Sequence, residues 1–99
     1  MNKKDHFNAM EENYLEVTTQ VEKLLTQLNE FNLHLDQVDT FTQYYGSKEW
    51  FEHVEMDRNG ELADSPSTSV LGEDYPYETI TELRDAAIKM LEMATLLLK

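Results

Sequence analysis

The first 45 residues contain neither glycine nor proline, and their apolar side chains recur at alternating steps of three and four positions, with one polar interruption at Thr42. Such spacing forms the narrow stripe by which one helix packs along another in a coiled coil. A half-buried strand would need alternation at every second residue, so the segment 3–45 is predicted to be helical. The stripe comprises Phe7, Met10, Tyr14, Val17, Val21, Leu24, Leu28, Phe31, Leu35, Val38 and Tyr45.

Two shorter helices are predicted after this segment. Gly46 can take the left-handed conformation that ends a helix and Ser47 can cap the next one, so a short acidic helix is expected over 48–57. The stretch 59–74 is rich in Ser, Thr and Asp and is expected to be a loop. Asp74 and Pro76 are typical of a first turn and predict a C-terminal helix over 75–98. The predicted fold class is all-α: a small antiparallel bundle of three to four helices with coiled-coil-like seams, forming a single domain over 1–99.

The lengths of the two longest helices differ, which leaves two arrangements open. About 40 helical residues span about 60 Å, whereas a helix over 76–98 spans only about 35 Å. In the first arrangement, the N-terminal segment bends near Asn29–Asn32 into two antiparallel helices and the chain is a monomer. In the second it stays straight, and the uncovered part of its stripe pairs with a second chain.

The acidic charge restricts the classes of partner. The chain carries 20 acidic and 8 basic residues, a net charge of −12, and half of that net charge lies in 47–75. Direct binding to nucleic acid or to an anionic membrane needs clustered Lys and Arg, so neither is expected. No apolar stretch is long enough for a membrane span or a signal peptide. The chain also has no cysteine, which fits a reducing compartment, and the predicted location is the cytoplasm.

Catalytic and metal-binding interpretations find little support in the sequence. His53 lies among several acids, but general acid–base catalysis needs a desolvated pocket, which a short charged helix does not provide. The segment 57–61 begins like a calcium loop, yet Leu62 and Thr68 stand where that loop needs Gly and Glu. The three histidines show no metal-ligand spacing. The sequence therefore predicts a protein that is not an enzyme, with no cofactor and no metal site.

The predicted function is a protein–protein interaction module that binds a basic protein surface through its acidic middle segment. Long-range attraction between opposite charges would steer the partner, and an aromatic side chain would anchor it. Trp50, Phe51 and Val54 are expected to share one apolar face of the short helix, with the acids on the solvent side. The predicted binding residues are Glu49, Glu52, Glu55, Asp57, Glu61 and Asp64, with Trp50 or Tyr45 as the anchor.

Two other functions remain open at this point. Ordered carboxylates on a helix can imitate the phosphates of a nucleic acid, so the chain is alternatively an inhibitor of a DNA- or RNA-binding protein, of the kind made by phages and mobile elements. The second alternative is a structural homodimer, in which the apolar stripe of 7–45 is itself the functional surface.

Three short segments carry a resemblance to a known family: Tyr44–Trp50 (YYGSKEW), Val70–Asp74 (VLGED) and Met90–Ala94 (MLEMA). They resemble a family of short proteins of unknown function from Gram-positive bacteria and their mobile elements. The resemblance covers most of the chain and implies an all-helical fold. Where the family has an acid three residues after the Trp, this chain has His53, and Ser67 and Thr68 replace a basic pair. Any role of that basic pair therefore does not carry over to this chain.

Overall fold

A computed structural model of the chain describes residues 2–99 and shows four α-helices, with no strand among those residues. This confirms the all-α class and the upper end of the predicted number of helices. The packing of the helices into an antiparallel bundle stays a prediction. The helices are α1 (Lys3–Leu33), α2 (Leu35–Tyr44), α3 (Lys48–Arg58) and α4 (Asp74–Leu97), and a single 3₁₀ turn covers Ser69–Leu71.

The long N-terminal segment is divided at His34, which has φ −106° and ψ 9°. Asn2 caps the start of α1, since its side-chain oxygen accepts a hydrogen bond of 2.8 Å from the backbone N–H of Asp5. The residues around Asn29–Asn32, where a bend was expected, lie inside α1. The helix is therefore interrupted at His34 and not at Asn29–Asn32, and the antiparallel folding of its two parts stays a prediction.

The chain forms two compact units, one ending at Val38 and one covering Asp39–Lys99. In the first unit, α1 contains no buried residue, and its apolar stripe is exposed along the whole helix. The second unit contains the core, which is built around Trp50. Trp50 and Pro76 are its most deeply buried residues.

The turn between α2 and α3 has the predicted local chemistry. Gly46 has a φ of +81°, a conformation that a residue with a side chain rarely adopts. The Ser47 hydroxyl then accepts a hydrogen bond of 3.2 Å from the backbone N–H of Trp50 and so caps α3. These two residues form the turn and place Trp50 in the first turn of α3, which confirms the predicted roles of Gly46 and Ser47.

The loop after α3 is more ordered than its composition suggested. Gly60, with a φ of +77°, ends α3, and the backbone N–H of Glu61 donates to the carbonyl of Met56 at 2.9 Å. Further along, the 3₁₀ turn Ser69–Leu71 packs against both α3 and α4. The loop was predicted as an irregular segment without an element of its own, and this turn corrects that prediction. Its physical role is to bring a backbone carbonyl, that of Val70, onto the core tryptophan.

Candidate interaction surface

All six predicted acidic residues lie on the surface of the second unit. Glu49, Glu52 and Glu55 lie on α3, and Asp57 lies in its last turn. Glu61 and Asp64 follow in the loop, and all six side chains are exposed.

The helical geometry of α3 divides its acids between different faces. Consecutive residues of an α-helix are rotated by about 100°, so Glu52 and Glu55 lie on the side of α3 that faces away from Trp50. Glu49 lies beside them at the edge of this face. Asp57 follows Trp50 by about two turns and therefore falls on the same side of the helix as Trp50. The structure thus brings three of the acids together on one face, and Asp57 does not join them.

One of these carboxylates has a charged partner. The Arg58 guanidinium donates a hydrogen bond of 2.7 Å to Glu55, and both side chains are exposed. This is the only ion pair among residues 2–99. An exposed pair of this kind contributes little to stability, since water screens both charges. Glu49 and Glu52 have no ion pair among residues 2–99, so both carboxylates are open to a basic partner.

Trp50 does not lie on this surface. Only 6% of it is exposed, and its indole N–H donates a hydrogen bond of 2.8 Å to the carbonyl of Val70. The Tyr45 ring lies against the indole, edge to face, with 5.0 Å between the ring centroids. The half-buried Tyr45 in turn donates from its hydroxyl to the carbonyl of Glu73 at 2.9 Å. Both suggested anchor residues therefore serve the core of the second unit in this structure.

Phe51 is the exposed aromatic residue of α3, with 60% of its surface open to solvent. Its ring meets Trp50 edge to face at 4.9 Å, so the buried indole supports it from one side. Phe51 was expected to share one apolar face with Trp50 and Val54, away from the acids on the solvent side, and its exposure shows that this prediction is wrong. The available signal was the rotation of about 100° between neighbouring residues, which prevents Trp50 and Phe51 from both pointing at the centre of the core.

A small open cavity of about 200 Å³ lies on another side of α3. The Tyr44 hydroxyl and His53 Nδ1 form a hydrogen bond of 2.6 Å at its wall, with the two rings 5.6 Å apart. Burial, and secondarily the negative charge of Glu49, raise the pKa of Tyr44 above its ordinary value of 10.0. The other lining residues are Met56, Leu62, Ser65, Ser67, Thr68, Val70 and Leu71.

Glu49 and His53 are four residues apart on α3, a spacing at which two helical side chains can meet. The structure instead gives His53 a partner from α2, namely Tyr44. Sequence spacing alone did not indicate this contact, because the two residues lie on different helices and meet only through the turn at Gly46.

Within residues 2–99, no group of three or more His, Asp or Glu side chains is arranged to hold a metal ion. No helix in the described part of the chain is both long and apolar enough to cross a membrane.

Residues 7–93 match the model of a protein family described as "Domain of unknown function (DUF4298)". The match covers most of the chain and confirms the expected membership in a family without a known function. Neither the curated proteins nor the solved structures contain a significant match to this chain.

Proposed function

We propose that this chain, which belongs to the DUF4298 family, is a non-enzymatic interaction module that binds a basic protein segment through the outer face of α3. The observation that carries the proposal is the position of Phe51, an exposed aromatic ring beside exposed carboxylates on the same helix. We call Glu49, Phe51, Glu52 and Glu55 the α3 face.

The chemistry of the α3 face favours Arg and Lys side chains. An arginine can place its guanidinium over the ring of Phe51 while it donates hydrogen bonds to a nearby carboxylate. Glu55 lies four residues after Phe51 on the same side of the helix, within reach of such a side chain, and Glu52 lies about 100° further around the helix than Phe51. Contact between Phe51 and Trp50 limits the motion of the ring, which reduces the entropy lost on binding.

The net charge of −12 supports the first step of binding, because it attracts a basic partner over a distance of several ångströms at physiological salt. Specific docking then depends on the α3 face. In this proposal, three further acids attract the partner at long range and make no direct contact with it: Asp57, Glu61 and Asp64.

A direct test compares two variants of equal net charge. Glu52→Gln with Glu55→Gln removes two carboxylates from the α3 face, and Glu12→Gln with Glu16→Gln removes two exposed carboxylates from α1. The probe is a fluorescent peptide of alternating arginine and glycine, with binding measured by anisotropy at several salt concentrations. We expect the α3 variant to bind at least about fivefold more weakly than the α1 variant, which corresponds to about 1 kcal/mol.

Phe51→Ala separates the aromatic contact from the charge. It leaves the net charge unchanged and should weaken peptide binding about threefold to fivefold, as expected for loss of a cation–π contact of about 0.5–1 kcal/mol. If the α3 and α1 variants bind equally and Phe51→Ala binds like the native chain, the peptide senses only total charge, and the proposal would then be wrong.

The natural partner can be sought in a lysate of a Gram-positive bacterium, since the resemblance of the motifs points to such a source. Proteins retained by the native chain and lost with Phe51→Ala are the expected partners. If such a protein binds nucleic acid and added DNA displaces it, the partner is a nucleic-acid-binding protein and the chain imitates its ligand. If DNA does not displace it, imitation of a nucleic acid is excluded for that partner.

A further inference from the structure

The apolar stripe of α1 is uncovered along its full length. Its members lie at the first and fourth positions of a seven-residue repeat, called a and d, and 40% to 65% of each is exposed. In a helix they form a continuous seam of about 36 Å from the first to the last. The a residues are Phe7, Tyr14, Val21 and Leu28, and the d residues are Met10, Val17, Leu24 and Phe31.

The positions that flank the seam are almost free of charge. In a two-stranded coiled coil, the flanking positions e and g lie next to the partner helix and select it by their charges. Here one of the eight is acidic and one is a histidine. The g residues are His6, Asn13, Gln20 and Gln27, and the e residues are Glu11, Thr18, Leu25 and Asn32.

The remaining acids of α1 lie away from the seam, at the outer positions of the repeat. Two helices of this sequence can therefore approach each other without bringing rows of carboxylates together, although each chain carries −12. Since like charges at flanking positions oppose pairing, this placement removes the main obstacle to self-association of so acidic a protein. The outer acids are Asp5, Glu12, Glu16, Glu22 and Glu30.

From these observations we propose that α1 pairs with α1 of a second copy in a parallel, in-register, two-stranded coiled coil. A second copy supplies a seam of identical length and spacing. By contrast, α4 has 24 residues against the 31 of α1 and is shorter by about 10 Å. A foreign helix with charged flanks would find almost no opposite charges at the e and g positions of α1.

The parallel orientation follows from the two flanking residues that can form a polar pair, His6 and Glu11. In a parallel pair, each g residue faces the e residue that lies five positions later in the other helix. His6 then faces Glu11 of the second copy, twice per dimer, and the other flanking pairs are uncharged. In an antiparallel pair, e residues face e residues, and Glu11 would lie beside an apolar or uncharged side chain without a charged partner.

This inference does not rest on the proposed function of the α3 face. None of the seam and flanking residues belongs to α3, so failure of the dimer leaves the peptide-binding test unaffected. Equally, a chain that binds no basic peptide can still pair through α1.

Sedimentation equilibrium tests the inference directly. The native chain should show twice its mass of 11.6 kDa. Leu24→Lys places a charge in the seam and should give the monomer mass, whereas the control Thr26→Lys adds the same charge two residues away on the outer side and should keep the dimer mass. A native chain that stays monomeric up to about 0.1 mM, or a Leu24→Lys variant that stays dimeric, would overturn the proposal.

Cysteine cross-linking tests the orientation and does not depend on the folding of the lysine variant. The native chain has no cysteine, so Leu24→Cys introduces a single thiol at a d position. In a parallel, in-register pair the two thiols face each other, and mild oxidation should convert most of the protein into a disulfide-linked dimer. Thr26→Cys is the control and should remain largely monomeric under the same oxidation. A Leu24→Cys variant that does not cross-link more than Thr26→Cys would contradict parallel, in-register pairing.

Discussion

The core around Trp50 and the seam of α1 are built from similar side chains, but they differ in what covers them. In the second unit, Trp50 is enclosed by a tyrosine ring, a phenylalanine ring and a backbone carbonyl, and only 6% of it is exposed. In α1, every seam residue keeps at least 40% of its surface open. Both regions have the apolar spacing of a helix. Apolar spacing therefore determines where a helix forms and which of its faces is apolar, but it does not determine which surface covers that face.

The largest expected effect comes from removing the core indole. Trp50→Ala should lower the free energy of unfolding by about 3–5 kcal/mol, because it leaves a cavity and removes the hydrogen bond to the carbonyl of Val70. Phe51→Ala, at the exposed neighbouring residue, should cost less than about 1 kcal/mol. Urea unfolding followed by far-ultraviolet circular dichroism measures both. If both variants lost the same free energy of unfolding, the core around Trp50 would be no more tightly packed than the surface.

Removal of a helix cap can be compared between the two units, because α1 and α3 each begin with a capping side chain. Ser47→Ala should destabilise the second unit by about 1 kcal/mol, since the first turn of α3 carries the core tryptophan. Asn2→Ala removes the equivalent contact from α1 and should only fray that end. Trp50 is the single tryptophan of the chain, so its fluorescence during urea unfolding reports on the second unit alone. A shift of the Asn2→Ala transition as large as that of Ser47→Ala would show that α1 and the Trp50 core unfold together.

A smaller effect is expected at the contact between Tyr45 and the start of α4. Tyr45→Phe removes the hydroxyl that donates to the carbonyl of Glu73 and should cost about 0.5–1.5 kcal/mol. Tyr77→Phe is the matched control, because Tyr77 is exposed and makes no hydrogen bond through its hydroxyl in the described residues. In thermal unfolding, the midpoint temperature of Tyr45→Phe should be lower than that of Tyr77→Phe. Identical midpoints would show that the hydroxyl of Tyr45 contributes nothing to the core.

The smallest effect is a dependence on alkaline pH. Burial raises the pKa of Tyr44 in the folded chain above the unfolded value of 10.0, so the folded state holds the phenol proton more tightly. The stabilisation is complete below pH 10 and is lost as the pH rises through the folded pKa. Stability of the native chain should therefore fall more steeply above pH 10 than that of Tyr44→Phe. The free energy of unfolding can be measured in urea at pH 9 and at pH 11. An equal decrease in the native chain and in Tyr44→Phe would contradict this assignment.

Much of the local structure was predictable from particular residues. The absence of Gly and Pro and the regular apolar spacing predicted a helical segment over 3–45, although not its interruption at His34. Gly46 and Ser47 predicted the turn before α3, because only a few residue types satisfy a left-handed backbone and a helix cap. The 3₁₀ turn at Ser69–Leu71 was missed, since its stability comes from packing against α3 and α4 and not from its own sequence.

The candidate site was predicted less completely. Exposure of the acids follows from the cost of burying charge, which acts on each residue separately and can be read from the sequence. Whether Trp50 or Phe51 is the buried residue could not be decided in this way. Both are large and apolar, and the choice depends on which of them meets Val70 after the turns at Gly46 and Gly60.

The sequence by itself determined the helices, their caps and the apolar and acidic faces, because these depend on interactions between residues a few positions apart. Only the tertiary structure decided that Trp50 is buried, that Phe51 is exposed beside carboxylates and that His53 pairs with Tyr44. These features depend on residues that are distant in the chain and meet through turns. No local pattern specifies which of several suitable apolar surfaces will be in contact, because burial of apolar area has no preferred direction.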